Sequence, residues 1–175
     1  MKRKALALII AASMGMTACS TSWVTEALNI TAVVAPAAIN VLTLVAAFQG
    51  VPVNVQKTAT ITQDIANVSK LLTDYKNSSA LAAPTVLGQL NSGLAVTQSD
   101  LSTILSTAKV SDPTTQLKVN ALVTFILAEV QSVASLIPEN TQPKTARVII
   151  PLTSKQFKKS FNAIMIGANP TLVLK

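Results

Sequence analysis

The chain of 175 residues contains no histidine and only one cysteine, Cys19. Without an imidazole, the Ser–His and Cys–His nucleophiles and the histidine metal sites are excluded. A single cysteine cannot form a disulfide within the chain. No serine lies in a Gly-x-Ser-x-Gly turn, and no glycine-rich phosphate loop is present. We therefore expect no catalytic residue, no metal and no cofactor, and we predict that the protein is not an enzyme.

Aromatic residues make up only 3% of the sequence and charged residues only 12%, whereas 50% of the residues are hydrophobic. A core of this composition consists of Ala, Val, Leu and Ile, which suits closely packed helices. The seven acidic residues are scattered along the chain and do not pair by spacing. Glu129 lies among apolar residues, where burial would raise its pKa. We place it within the fourth helix, at the boundary between core and surface, with its carboxylate reaching solvent.

Residues 27–56 contain no charge at all. Within them, residues 30–48 are long enough to cross a bilayer. On a helix, one narrow side carries Asn29, Pro36, Asn40 and Thr43. Another side follows small and apolar residues at steps of four and three: Leu28, Ala32, Ala35, Ile39, Leu42 and Ala46. This pattern predicts a helix packed in the protein core by its small-residue face, and a membrane span is the alternative.

Three further segments show the apolar spacing that is typical of amphipathic helices. Thr60 and Gln63 form a capping box that predicts the start of the second helix. Asp112 followed by Pro113 predicts the start of the fourth. The expected core positions are Ile61, Ile65, Val68, Leu72 and Tyr75, then Leu87, Leu90, Leu94, Leu101 and Leu105, then Val119, Leu122, Phe125, Ile126, Val130, Val133, Leu136 and Ile137. Short polar connections join the segments, so the predicted fold class is mainly α, an antiparallel four-helix bundle.

The last part of the chain has a different character. Residues 140–175 hold six basic residues and no acidic residue. Residues 147–151 and 171–174 have strand-like composition, and a helix capped by Thr153 or Ser154 is expected between them. We predict a small C-terminal strand–helix–strand appendage, and a flexible terminus is the alternative. Alternating valines in residues 51–55 predict one more short strand that could join it.

The predicted tail helix carries the one pattern that suggests binding. Phe157 and Phe161 lie on its apolar side, whereas Lys155, Lys158 and Lys159 lie away from that side. A basic amphipathic helix is typical of contact with an anionic membrane surface or with a partner helix. The alternative is that the phenyl rings close the open end of the bundle and the lysines are solvated.

The first residues combine three basic side chains, a short apolar run and a small-residue box that ends at Cys19: Met16, Thr17, Ala18 and Cys19. Residues 1–20 resemble a bacterial lipoprotein signal peptide, with Met16 standing where leucine is usual. The resemblance implies cleavage before Cys19, acyl chains such as palmitate on Cys19, and a stable membrane tether. Ser20, where an aspartate would imply the inner membrane, implies the outer membrane and a location facing the periplasm.

These patterns divide the chain into a signal peptide (residues 1–18), a lipid-anchored helical bundle (19–139) and a basic appendage (140–175). We interpret it as a cell-envelope binding or structural module, with an envelope protein or an anionic envelope surface as partner and no nucleic acid. One alternative is a membrane-active protein of the lysis, immunity or exclusion type, in which residues 30–48 insert. Another is a carrier of an apolar ligand, which needs a cavity between the helices.

Overall fold

The computed structural model describes residues 22–79, 81–137 and 152–175, and these residues are mainly helical, as predicted. The five helices are α1 (Ser22–Gln49), α2 (Val55–Asn77), α3 (Ala83–Ser106), α4 (Pro113–Ser135) and α5 (Ser154–Ile166). A 3₁₀ turn, Pro170–Leu172, follows α5. The signal peptide with Cys19, and the strand predicted at residues 147–151, lie outside the described residues.

Three of the helices, α2, α4 and α5, begin at a residue whose side chain caps the helix. Asp112 Oδ2 accepts a hydrogen bond from Thr115 N at 2.7 Å, as the Asp-Pro signal predicts, and this bonding to Thr115 lowers the pKa of Asp112. α2 starts earlier than predicted, because Asn54 Oδ1 accepts from Lys57 N at 3.0 Å and caps it there. The predicted start at Thr60 is therefore wrong, and Thr60 lies inside α2.

Neither of the strands predicted within the described residues is present. Gly50 adopts a φ of 66° in the turn after α1, and Val55 is already the first residue of α2, so residues 51–55 have no length in which to form a strand. Residues 170–172 form the 3₁₀ turn, and Val173 is extended. Its neighbours bond to side chains of α1 and α5 rather than to another strand. The strand prediction for residues 171–174 is thus wrong as well.

The first four helices contact one another in a ring. α2 lies against α1 and α3, and α4 lies against α3 and α1. At one end, Gln49 Nε2 donates to Lys109 O at 2.6 Å, and Lys57 Nζ donates to Thr107 Oγ1 at 2.7 Å. At the other end, the rings of Trp23 and Tyr75 lie 5.3 Å apart. α5 packs on α1 and α4, so α1 is in contact with every other helix.

The core contains the side chains that were predicted for α2 and α3, and all of them are buried. In α4, Val119, Leu122 and Ile126 are fully buried, whereas Phe125 is half-buried. The predicted inward face of α1 is largely wrong, because Ala32 is exposed and Leu28 is half-buried. The buried residues of α1 are instead Val24, Ala27, Ile30, Thr31, Val33, Val34, Ala37, Ala38, Val41, Leu42, Leu44, Val45 and Ala46.

Helices α1 and α4 are long and apolar enough to cross a membrane, by length and composition alone. The core helix of a soluble protein passes the same test, and the apolar side chains of α1 are mostly buried against the other helices. The length and composition of these two helices therefore do not distinguish a core helix from a membrane span.

Candidate functional site

The helix that carries the basic residues, α5, starts with a complete capping box. Thr153 Oγ1 accepts from Gln156 N at 3.3 Å, and Gln156 Oε1 accepts from Thr153 N at 2.9 Å. Two amide groups that have no partner within the helix are satisfied in this way. α5 lies against α1 and α4, so one of its sides faces the protein and the other faces solvent.

The two phenylalanines of the predicted site are in the core. Phe157 and Phe161 are both fully buried. The ring of Phe157 stacks on Phe125 of α4 with a centroid distance of 4.9 Å, and on Phe161 at 6.1 Å. Met165 is also fully buried, one turn after Phe161. The sequence analysis did not name it, although its position four residues after Phe161 places it on the apolar side of the helix. The rings are enclosed where α5 packs on α1 and α4, so they present no apolar surface to a membrane.

The three lysines lie on the outside of the same helix. Lys155 and Lys159 are exposed, and Lys158 is half-exposed and donates to Lys175 O at 2.5 Å. Within the part of the chain that the structure describes, none of the three forms an ion pair with an aspartate or glutamate side chain. The ion pair found there joins Lys70 to Asp74. Exposed ammonium groups without acidic partners create a positive potential that attracts anions. The structure therefore keeps the lysines of the predicted site at the surface and removes the phenylalanines from it.

Glu129 of α4 is buried, with only 4% of its surface exposed, so its predicted boundary position is wrong. Its Oε1 accepts from Leu152 N at 3.1 Å, which joins α4 to the segment that leads into α5. Burial raises the pKa of the Glu129 carboxyl group, and the charge of Glu26 adds to the rise. The hydrogen bonds from Leu152 N and from Ser132 oppose it. Glu129 is buried because a segment far along the sequence covers it.

Replacing Glu129 with glutamine is expected to raise the free energy of unfolding at neutral pH. Because the pKa of Glu129 is raised in the folded protein, the folded state binds more protons than the unfolded state at pH values between the two pKa values. Stability therefore falls as the pH rises from the ordinary value of 4.5 to the raised pKa. A glutamine side chain does not titrate, so the variant does not lose stability in this way as the pH rises. Its amide oxygen can still accept the hydrogen bond from Leu152 N.

Urea unfolding across this pH range measures the effect. The difference between Glu129→Gln and the native chain should be largest at neutral pH and should shrink towards low pH. Asp74→Asn is the matched control, because Asp74 is an exposed acid in a surface ion pair; we expect it to change stability by less than about 0.5 kcal/mol. A Glu129→Gln variant that is equally destabilised at every pH would contradict the raised pKa.

An open groove of about 430 Å³ lies between α2 and α3. It is narrow at Gly93, where an added Cβ would lie 3.2 Å from Leu71 Cδ1. Asp64 lines the groove, and partial burial together with the nearby charge of Asp100 raises the pKa of Asp64. No group of three or more Cys, His, Asp or Glu side chains that could hold a metal occurs within residues 22–79, 81–137 and 152–175.

A small cavity between the first four helices has a volume of only about 10 Å³ and is lined by residues from all four helices: Thr31, Val34, Ile65, Val68, Leu94, Thr97, Val130 and Val133. One water molecule needs about 10–15 Å³. This position offers no room for an apolar ligand, so it gives no support to a carrier function.

Comparisons of the chain with protein-family models, with curated proteins and with solved structures found no match.

Proposed function

We propose that this chain is a lipid-anchored helical bundle of the cell envelope that acts as a binding or structural module. Cys19 holds it in the outer membrane, facing the periplasm. α1 to α4 form an antiparallel four-helix bundle, and α5 belongs to a basic appendage, residues 140–175. The partner is an envelope protein or an anionic envelope surface.

The bundle arrangement is supported by the contacts at the two ends of the helices. Gln49 at the end of α1 bonds to the connection between α3 and α4, and Lys57 in the first turn of α2 bonds to Thr107, the residue after α3. Trp23 at the start of α1 packs on Tyr75 near the end of α2. Neighbours that alternate in direction and contact one another in a ring are the arrangement of an up-and-down bundle.

The observation that carries the module function is the burial of α1. Ile30 and Val41 are fully buried in the protein core. Thr31 Oγ1 lies 3.2 Å from Ser69 Oγ, and Asn40 Nδ2 donates to Leu172 O at 2.9 Å. Inserting residues 30–48 into a bilayer would empty the core and break both contacts. The packing therefore favours a module on the membrane over the membrane-active alternative.

The membrane tether is supported by the sequence around Cys19 and by the small number of residues between Cys19 and the first helix. α1 begins at Ser22, so only a short spacer separates Cys19 from the first helix. Lys155 and Lys159 supply the positive charge that would contact phospholipid, lipopolysaccharide or peptidoglycan anions. A basic side chain near an anionic membrane contributes about 1 kcal/mol.

Replacing Cys19 with alanine is expected to abolish lipid labelling and membrane fractionation, because the thiol that carries the acyl chains is gone. The product should be an uncleaved precursor or a soluble chain, seen by mass spectrometry of the fractions. Ser20→Asp is the matched control: it should stay lipidated and move towards the inner membrane. An unchanged mass and unchanged fractionation of Cys19→Ala would refute the tether.

A membrane-impermeant amine reagent separates the module from the membrane-active alternative. With the lipidated protein on the outer face of sealed vesicles, Lys76 is exposed in the module and should be labelled fully. Insertion of residues 30–48 would carry α2 across the bilayer and protect both Lys57 and Lys76. Protection that disappears when the vesicles are opened with detergent would favour insertion.

A further inference from the structure

Residues 170–175, which we call the strap, lie against α1 and α5. The strap begins as the 3₁₀ turn Pro170–Leu172, which contacts both helices, and continues with Val173 in an extended conformation (φ −77°, ψ 150°). Leu174 is only 9% exposed and belongs to the hydrophobic core. The two helices therefore form a groove, which is filled by a segment of the same chain that is a 3₁₀ turn up to Leu172 and is extended at Val173.

Asn162 of α5 binds the strap through both ends of its side-chain amide. Its Nδ2 donates to Leu174 O at 2.9 Å, and its Oδ1 accepts from Leu174 N at 2.7 Å. Two residues that face each other in an antiparallel sheet exchange the same pair of bonds. The Asn162 side chain thus takes the place that a neighbouring strand would have.

Two more hydrogen bonds join a side chain of α1 or α5 to the main chain of the strap. Asn40 Nδ2 of α1 donates to Leu172 O at 2.9 Å, and Lys158 Nζ of α5 donates to Lys175 O at 2.5 Å. These four bonds all end on main-chain atoms of the strap. The polar contacts of the groove therefore recognise main-chain groups at the end of the 3₁₀ turn and just after it, and the buried side chain of Leu174 adds the requirement for an apolar residue.

The strap is not the only contact between α5 and the rest of the protein. α5 also packs on α1 and α4, and Phe157, Phe161 and Met165 are fully buried. Lys118 of α4 donates to Gly167 O, just after the end of α5. We therefore expect α5 to stay in place when the strap leaves the groove beyond Asn169.

We propose that the groove between α1 and α5 is a binding site for a polypeptide segment with the main-chain conformation of the strap, and that the strap is its occupant within the chain. The ligand is a protein partner's segment that presents main-chain groups to Asn162 and Asn40 and an apolar side chain at the position of Leu174. In such sites main-chain bonds provide affinity, and pockets for single side chains provide specificity. The partner's segment displaces the strap because it uses the same bonds. This site does not depend on the lipid tether.

The test uses the chain without residues 170–175 and, as the probe, a dye-labelled peptide with the sequence of residues 169–175. Fluorescence anisotropy should show saturable binding to the shortened chain and binding at least about tenfold weaker to the complete chain, where the strap competes. Asn162→Ala in the shortened chain should weaken binding about tenfold, because two bonds are lost. Asn120→Ala is the matched control, since this exposed asparagine bonds to Gln116 on α4, and it should leave binding unchanged.

Altered peptides distinguish backbone recognition from side-chain recognition. N-methyl-leucine at the Leu174 position removes the N–H that donates to Asn162 and keeps the apolar side chain, whereas aspartate there removes the apolar side chain and keeps the N–H; each should weaken binding at least about tenfold. Threonine at the Val173 position should change binding less than about threefold. Equal binding of the N-methyl-leucine peptide, or no saturable binding to a shortened chain that is helical by circular dichroism, would overturn the proposal.

The full-length variant Leu174→Asp keeps the proposal testable if the shortened chain does not fold. This change expels the strap from the core while the chain keeps its length. The same peptide should bind Leu174→Asp at least about tenfold more tightly than the native chain. Equal affinities of the two chains would overturn the proposal in this case.

Discussion

Phe157→Ala is expected to lower the free energy of unfolding by about 3–5 kcal/mol. The side chain is fully buried, and its ring stacks on Phe125 at 4.9 Å and on Phe161 at 6.1 Å. Truncation leaves a cavity between α4 and α5 and removes both ring contacts. Because a domain of this size has a net stability of about 5–15 kcal/mol, the loss is a large share of the total. Urea unfolding followed by circular dichroism measures it.

The matched control for this variant changes only the charged side of α5. The double variant Lys155→Gln with Lys159→Gln should keep its stability within about 0.5 kcal/mol. Lys158 is left in place because it bonds to Lys175 O. If the lysines contact an anionic surface, the double variant should bind anionic vesicles about fivefold more weakly per lysine at low salt, and salt should remove the difference. A Phe157→Ala variant with native stability but weakened vesicle binding would contradict the burial of the ring.

Leu122→Ala and Ile126→Ala are each expected to cost about 2–5 kcal/mol. Both side chains are fully buried on the inner side of α4. Each truncation leaves a cavity in the core, and the cost depends on how far the neighbouring helices can collapse into it. Thermal and urea unfolding of a soluble chain that starts at Ser20 would provide the measurement.

Leu117→Ala is the matched control on the same helix, because Leu117 is 71% exposed. Removal of the same atoms from an exposed position should change stability by less than about 0.5 kcal/mol. Similar effects at Leu117 and Leu122 would mean that α4 does not bury the side that the structure gives it. They would also remove the basis for the bundle arrangement.

The inward faces of α2 and α3 were predictable because polar residues mark their outer sides. In α2, the positions from Ile61 to Tyr75 recur at helical spacing and are all buried. In α1 this signal was weak, since only one narrow side carries polar residues and the helix is apolar on nearly every other side. Its orientation is determined by α2, α4 and α5, which cover different sides of it, and these contacts depend on the whole fold rather than on the spacing within one helix.

Long-range contacts also explain the errors at single residues. Glu129 is buried because Leu152 covers it, and no local pattern around Glu129 reveals a contact with so distant a segment. Residues 171–174 have the composition of a strand, and Val173 is extended as that composition suggests. The partner of Leu174 is the side-chain amide of Asn162, which sequence patterns of sheet pairing do not include.

Only one property of the candidate site was predictable from the sequence, which is that α5 has an apolar side and a basic side. The spacing within α5 separates Phe157 and Phe161 from the lysines, but it does not say whether the apolar side meets a membrane or the protein. Contacts with α1 and α4 decide that question in the structure. The pattern of one helix therefore gives the chemistry of its two faces, and the neighbouring helices determine which face is available for binding.

The packing of Trp23 on Tyr75 gives the protein an intrinsic optical reporter. The chain contains one tryptophan and one tyrosine, and their ring centroids lie 5.3 Å apart. At this separation tyrosine excitation passes to the indole, so tyrosine emission should appear only when α1 and α2 separate. Fluorescence then follows one helix pair, while circular dichroism follows all the helices. Coincident transitions by the two signals would mean that the helices unfold as one cooperative unit.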